Sequence, residues 1–213
     1  MSSFCNQTAK FLATVAQNMP ELSGDVMQGW IENPRALQKL LAGLNPPVVV
    51  SATEFPIWKT IKLGTGPKSA DDFRKAIKAA GMKVGNWASD ILGKPEFVVA
   101  DKEETEVDLV KVTVAELGFK KATRRDQIYN RAKELGLQIC PPEVGPQLRL
   151  QLADQPNGEW ILIGMEPIRR SGGYLSVFSV ERSDSGLWLS GDYGGPGYVW
   201  DPDGVWVFVR PRK

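Results

Sequence analysis

Between Lys120 and Lys133 the chain sets six basic residues, Lys120, Lys121, Arg124, Arg125, Arg131 and Lys133, against the single acid Asp126. Cations at that density can meet the phosphates of a nucleic acid. The helical pattern there breaks at Gly136 and resumes in PPEVGPQL, the outline of a helix-turn-helix. Lys120, Arg124 and Arg125 could alternatively gather an anion at a helix N-terminus, where Asp126 competes for the same place. Two features oppose a nucleic-acid role. PPEVGPQL, which would read the groove, carries Glu143 and no base, and Glu96 to Asp108 holds six acids and one lysine, cancelling the basic excess. A solvated helix face beside an acidic neighbour explains the run more simply.

Three other stretches carry chemistry-bearing side chains. GDYGGPGYVWDPDG is rich in glycine and aromatics and fits neither a P-loop nor a dinucleotide fingerprint. Tyr193, Tyr198 and Trp200 on such a loop suit contact with a protein, because rigid rings supply large area at low entropic cost. Glu166, at the end of a strand pattern, and Asp192, Asp201 and Asp203, in turns, are the carboxylates that glycosyl transfer or an oxygen-ligated metal would need. Cys140 in ICPPEVGP lacks an imidazole to activate it and reads as a buried structural thiol.

The chain has no histidine at all. That removes imidazole bases, Ser-His-Asp and Cys-His arrangements, and mixed Cys/His zinc sites. Two cysteines, Cys5 and Cys140, build neither a disulfide framework nor a four-thiolate site. No cofactor or metal is expected. With 26 basic and 25 acidic residues the formal net charge is +1, so any electrostatic partner must be read by a local patch. The N-terminal apolar run is too short and interrupted for a signal peptide, and no stretch is long and apolar enough for a membrane span. The expected setting is the cytoplasm, with no membrane partner.

These side chains must be positioned by three regions. Residues 1–46 read as helical: Phe11, Leu12, Val15 and Met19 recur at helical spacing. A second helix then starts at the cap Asn33 with Pro34 behind it and carries Leu37, Leu40, Leu41 and Leu44 on one face. Pro46-Pro47 opens an extended connector. Residues 56–153 suggest a duplication, in segments of about 58–100 and 112–153. Leu63-Gly64, Ser69, Asp72 and Gly81 match Leu117-Gly118, Thr123, Asp126 and Gly136. Each copy is expected to run strand, LG turn, helix capped by Ser69 or Thr123, glycine turn, short helix, and a final strand (EFVVA; LRLQL). Residues 158–213 alternate strand patterns with turn formers, an antiparallel meander holding four of the seven tryptophans.

WKTIKLG, DLVKVTVAELGF, RAKELGLQICPPEVGPQLRLQ and GEWILIGMEPI resemble a family of uncharacterised bacterial proteins over about residues 55–213. That resemblance implies common ancestry and brings no activity, ligand or catalytic residue. The sequence therefore points to an α+β protein: N-terminal helices, a central duplicated strand-helix-short helix-strand unit and a C-terminal antiparallel sheet. Its expected role is a non-enzymatic binding or regulatory protein that touches another protein through Tyr193, Tyr198 and Trp200. Nucleic-acid binding through Lys120, Lys121, Arg124, Arg125 and Arg131 is the first alternative. A carboxylate-dependent enzyme is the second.

Overall fold

The computed structural model describes Lys10 and residues 13–43, 55–99 and 104–212. Cys5, Phe11, Leu12, the Pro46-Pro47 connector, and the side chains of Leu40, Leu41 and Leu44 lie outside the described set. The chain divides into two compact units, residues 1–48 and 49–213, so the central and C-terminal regions of the sequence belong to one body. No helix among the described residues is long and apolar enough to cross a membrane.

The first unit holds α1 (Gly24–Glu32) and α2 (Pro34–Gly43). Ser23 caps α1 by accepting from the Val26 N–H. Asn33 then does two jobs. Its backbone N–H donates to the Gly29 carbonyl at the end of α1, and its Oδ1 accepts from the Ala36 N–H to start α2.

The second unit is α+β. Its helices are α3 (Ala70–Ala79), α4 (Asn86–Leu92), α5 (Arg125–Glu134) and α6 (Val144–Gln151). Its strands are β1 (Lys59–Leu63), β2 (Lys83–Val84), β3 (Thr105–Thr113), β4 (Thr123–Arg124), β5 (Trp160–Ile163), β6 (Ile168–Arg169), β7 (Leu175–Ser183), β8 (Gly186–Tyr193), β9 (Val199–Trp200) and β10 (Val205–Arg210). The main sheet runs β1-β3-β10-β5-β7-β8-β2, with β6 paired to β7, and β4 and β9 form a separate ribbon. The C-terminal strands are mostly antiparallel, as expected, but they do not form a simple meander. β10 leaves the hairpin order, pairs antiparallel with β3 and parallel with β5, and so sits between the central and C-terminal regions.

Local signals explain several elements. Ser69 accepts from the Asp72 N–H at 3.2 Å while its hydroxyl donates to the Asp72 carboxylate at 2.7 Å, and Phe73 and Ile77 turn the inner face of α3 into the core. Gly81 and Gly136 end α3 and α5 at φ 72° and 80°, a backbone region that costs an L side chain strain. Three expectations need correction. Thr123 is not a cap: it lies in β4 and donates to the Lys121 carbonyl, leaving Arg124 at the cap position with no side-chain bond. EFVVA forms no strand over its described residues, where Phe97 is buried but Val98 is exposed and nothing pairs with them. LRLQL is not a strand either; Leu148 to Gln151 continue α6.

α6 is the helix that the core is built against. Val144 to Arg149 are all buried, and the helix packs on β1, β7 and β8. Gly145 makes this possible, since a Cβ there would lie 2.7 Å from the Phe178 ring carbons. Arg149 is wholly buried, and among the described residues no carboxylate pairs with it. Its guanidinium donates to the Gln155 side chain and to the Leu152 and Glu181 carbonyls, and Gln155 donates onward to the Glu159 and Val180 carbonyls. Burial, with the charge of Arg182 nearby, pulls the Arg149 pKa down to about 10. The network ends α6 and ties it to β7 in one step.

Arg149→Met is expected to lower stability by about 3 kcal/mol in urea unfolding, because it strands a buried amide oxygen and two carbonyls. A second expectation concerns acid. The Arg212 guanidinium and the Thr60 hydroxyl hold the Asp108 carboxyl down to about 2, below its ordinary value of 3.8. A carboxyl depressed by folding stabilises above its unfolded value and loses that stabilisation as the pH falls through the folded one. The stability gap between the wild type and Asp108→Asn should therefore be full at pH 6 and close towards pH 2.

Candidate interaction surface

The sequence offered the aromatic loop and the basic segment as rival sites. They are one place. β9 pairs antiparallel with β4, setting Trp200 against Thr123 and Val199 against Arg124. Next to this ribbon the Arg125 N–H donates to the Tyr198 carbonyl at 2.8 Å and the Asp126 N–H to the Pro196 carbonyl at 3.1 Å. These bonds also close the end of α5. Its first N–H groups are used by the loop, and the Gln127 N–H is taken by the Asp126 carboxylate, so the helix terminus itself offers no anion site.

Rings radiate from this junction. Tyr193 stacks on Tyr198 at 5.0 Å and 17°, with Trp87 edge-on to Tyr193 at 5.1 Å and Tyr174 edge-on at 6.4 Å. Tyr198 contacts Trp200, which contacts Trp160 and Trp206, and Trp206 leads on to Tyr129. The chain of contacts thus runs from solvent into the core. Tyr174 is 63% exposed and Tyr198 43%, and Tyr193 and Trp160 are also exposed. Trp200 is only 6% exposed, which corrects its expected place on the outer surface. It is the ring on which the outer tyrosines rest.

The five bases separate by environment. Lys120 and Lys121 are exposed. Arg124 pairs with Asp126 at 2.7 Å. Arg131 donates to the Leu117 carbonyl and pairs with Glu134. Arg125 is only 8% exposed, with its guanidinium 4.4 Å from the centroid of the Tyr129 ring, so it cannot lie along a phosphate backbone as the sequence suggested. The helix-turn-helix outline fails for a related reason: α6, its groove-reading helix, is a core helix.

Arg170 was not singled out from the sequence. Its guanidinium lies 3.6 Å over Trp87 and 5.5 Å from Tyr174, and no acid pairs with it among the described residues. One signal was available. Gly191 interrupts an otherwise bulky strand because the Trp87 Cβ would sit 3.0 Å from any Cβ there, which shows where α4 approaches the sheet.

The candidate carboxylates do not converge. Asp192 lies on the sheet and accepts from the Ser179 hydroxyl and the Trp160 indole N–H. Burial pushes its carboxyl above the usual range, against the pull of those two bonds. Glu166 and Asp201 are exposed, and no hydrogen bond or ion pair joins the three. Asp203 is exposed beside Asp201 in the turn closed by the Gly204 N–H to the Asp201 carbonyl. Among the described residues no group of three metal-ligating side chains forms a cluster.

Cys140 is buried, donates to the Val207 carbonyl, and has its thiol pKa pushed well up by burial. In a Cys5→Ser background, native protein should therefore resist a thiol reagent at pH 8 and react once urea unfolds it.

Comparison with family models, with curated proteins and with solved structures finds no match to this chain.

Proposed function

We propose that this protein is a non-enzymatic binding module that engages another protein through Tyr174, Tyr193 and Tyr198, with Arg170, Lys120 and Lys121 at the rim. The observation that carries this reading is the β4–β9 pairing, which fastens a Gly-rich aromatic loop to a basic segment and holds its rings on a buried tryptophan. Exposed tyrosines backed by a fixed ring, next to arginine, are the composition of energetic centres in protein interfaces. Held rings lose little entropy on contact, so the loop keeps more of its contact energy as affinity.

A second reading has one observation in its favour. Stacked, exposed Tyr193 and Tyr198 near two exposed lysines also resemble a platform for single-stranded nucleic acid. Against it stands the tying of Arg124, Arg125 and Arg131 into the fold.

A photo-crosslinking residue installed at position 198 should capture a discrete protein partner in a lysate, and the same group at position 75 should not. Tyr198→Ala should weaken binding to the captured partner about 30-fold, the equivalent of roughly 2 kcal/mol. Equal labelling at both positions would count against the surface. Filter binding of a single-stranded oligonucleotide whose affinity falls steeply with salt would favour nucleic acid instead.

A further inference from the structure

The two end strands of the main sheet are treated differently. At one end, α6 covers β1 with side chains: the Gln151 amide accepts from the Lys62 N–H and donates to the Lys62 carbonyl, and the Glu143 carboxylate accepts from the Gly64 N–H. At the other end β2 pairs with β8 alone. Val84 stands opposite Leu189 in a parallel register, and the Gly85 N–H donates to the Leu189 carbonyl at 2.8 Å. Parallel strands bond through alternate residues, so this register turns the N–H and carbonyl of Val84 away from β8. No hydrogen bond to either forms among the described residues. An edge left in that state is a template for a further strand.

A groove of about 440 Å³ lies at the same edge. Met82, Val84 and Trp188 line it with apolar surface, and Arg74, Lys78 and Lys83 supply its charge. The side chains of Lys83 and Val84 leave the strand on opposite faces, yet both line the groove, so it opens across the edge of β2 and not on one face. No carboxylate lines it. The Arg74 guanidinium is taken by Asp71 and Ser89. The other two cations have no acid. The Lys83 ammonium donates to the Ser185 carbonyl and lies 4.8 Å from the centre of the Trp188 ring. Lys78, exposed in the last turn of α3, makes no ion pair among the described residues.

We propose that this groove docks an extended acidic segment of a partner protein, which adds as a strand to β2. Its backbone pairs with Val84, an apolar side chain enters beside Met82 and Trp188, and flanking carboxylates meet Lys78 and Lys83. Backbone pairing supplies the direction of such a segment, and the groove and its cations supply the choice of side chains. A nucleic acid would meet the cations but offers neither a peptide backbone for the edge nor an apolar side chain for the groove. None of these residues belongs to the tyrosine surface, so the groove stands independently of it.

The test is an array of seven-residue peptides, each with a central Val, Ile, Leu, Phe or Met between glutamates or between lysines, probed with the full-length protein. At least one glutamate-flanked peptide should bind, and its lysine-flanked counterpart should bind about tenfold more weakly or worse. With that peptide in solution, Lys78→Glu and Lys83→Glu should each weaken binding about tenfold in fluorescence anisotropy, and both positions are exposed, so the fold is spared. N-methylation of at least one peptide amide should cost about as much, and saturating peptide should slow hydrogen exchange at the Val84 amide. Lys75→Gln, outside the groove, and Tyr198→Ala should bind as the wild type does, which separates failure of this groove from failure of the tyrosine surface. An array without a bound peptide, equal binding of both charge sets, or an N-methyl scan in which no position matters overturns the proposal. So does binding of octanoate or a single-stranded oligonucleotide, lost in Lys78→Glu, where no peptide binds.

Discussion

A charge withdrawn from water must find compensation inside the fold, and that constraint organises the second unit. Arg149 brings a guanidinium into the core without a carboxylate and is compensated by an amide and two carbonyls. Because these acceptors come from the end of α6, the turn after it and strand β7, satisfying one cation fixes three elements relative to one another. Phe178, closing on Gly145, then locks the same helix from its other end. Packing and polar satisfaction here select one arrangement together. Either alone would leave α6 free to slide.

The aromatic surface follows from a similar coupling at longer range. Thr123 and Trp200 are far apart in sequence, yet two residues on each side are enough to pair their backbones. So short a ribbon is weak by itself. Its stability comes from the rings it carries, since Trp200 meets Trp206 in β10 at 5.4 Å and at 85°, an edge-to-face contact. The sheet therefore holds the loop through side chains as well as through hydrogen bonds, and the exposed tyrosines inherit that rigidity.

Features governed by nearby residues were legible in the sequence. The Ser69 cap, the Asn33–Pro34 start and the left-handed glycines at 81 and 136 depend on neighbours within a few positions. The α+β class also followed from the change of hydrophobic period along the chain. LRLQL misled because Leu148, Leu150 and Leu152 alternate like a strand; the intervening Arg149 looked like a solvent position but is the most buried cation in the fold. EFVVA has strand propensity but pairs with no strand over its described residues. In the site, Tyr193 and Tyr198 could be read from a Gly-rich loop. The burial of Trp200 and the stacking of Arg170 on Trp87 depend on residues brought together from distant parts of the chain. No periodicity records such meetings.

The position of β10 has a consequence for how the molecule is made. It contributes Trp206, Val207 and Phe208 to the core and hydrogen-bonds to a strand on either side, yet it is the last strand of the sheet to leave the ribosome. Until Arg210 has emerged, β3 and β5 each present an open apolar edge, the kind of surface that invites pairing with neighbouring nascent chains. Slow translation over the final strand would prolong that exposure, and holdase chaperones would find their binding sites on those two strands during synthesis.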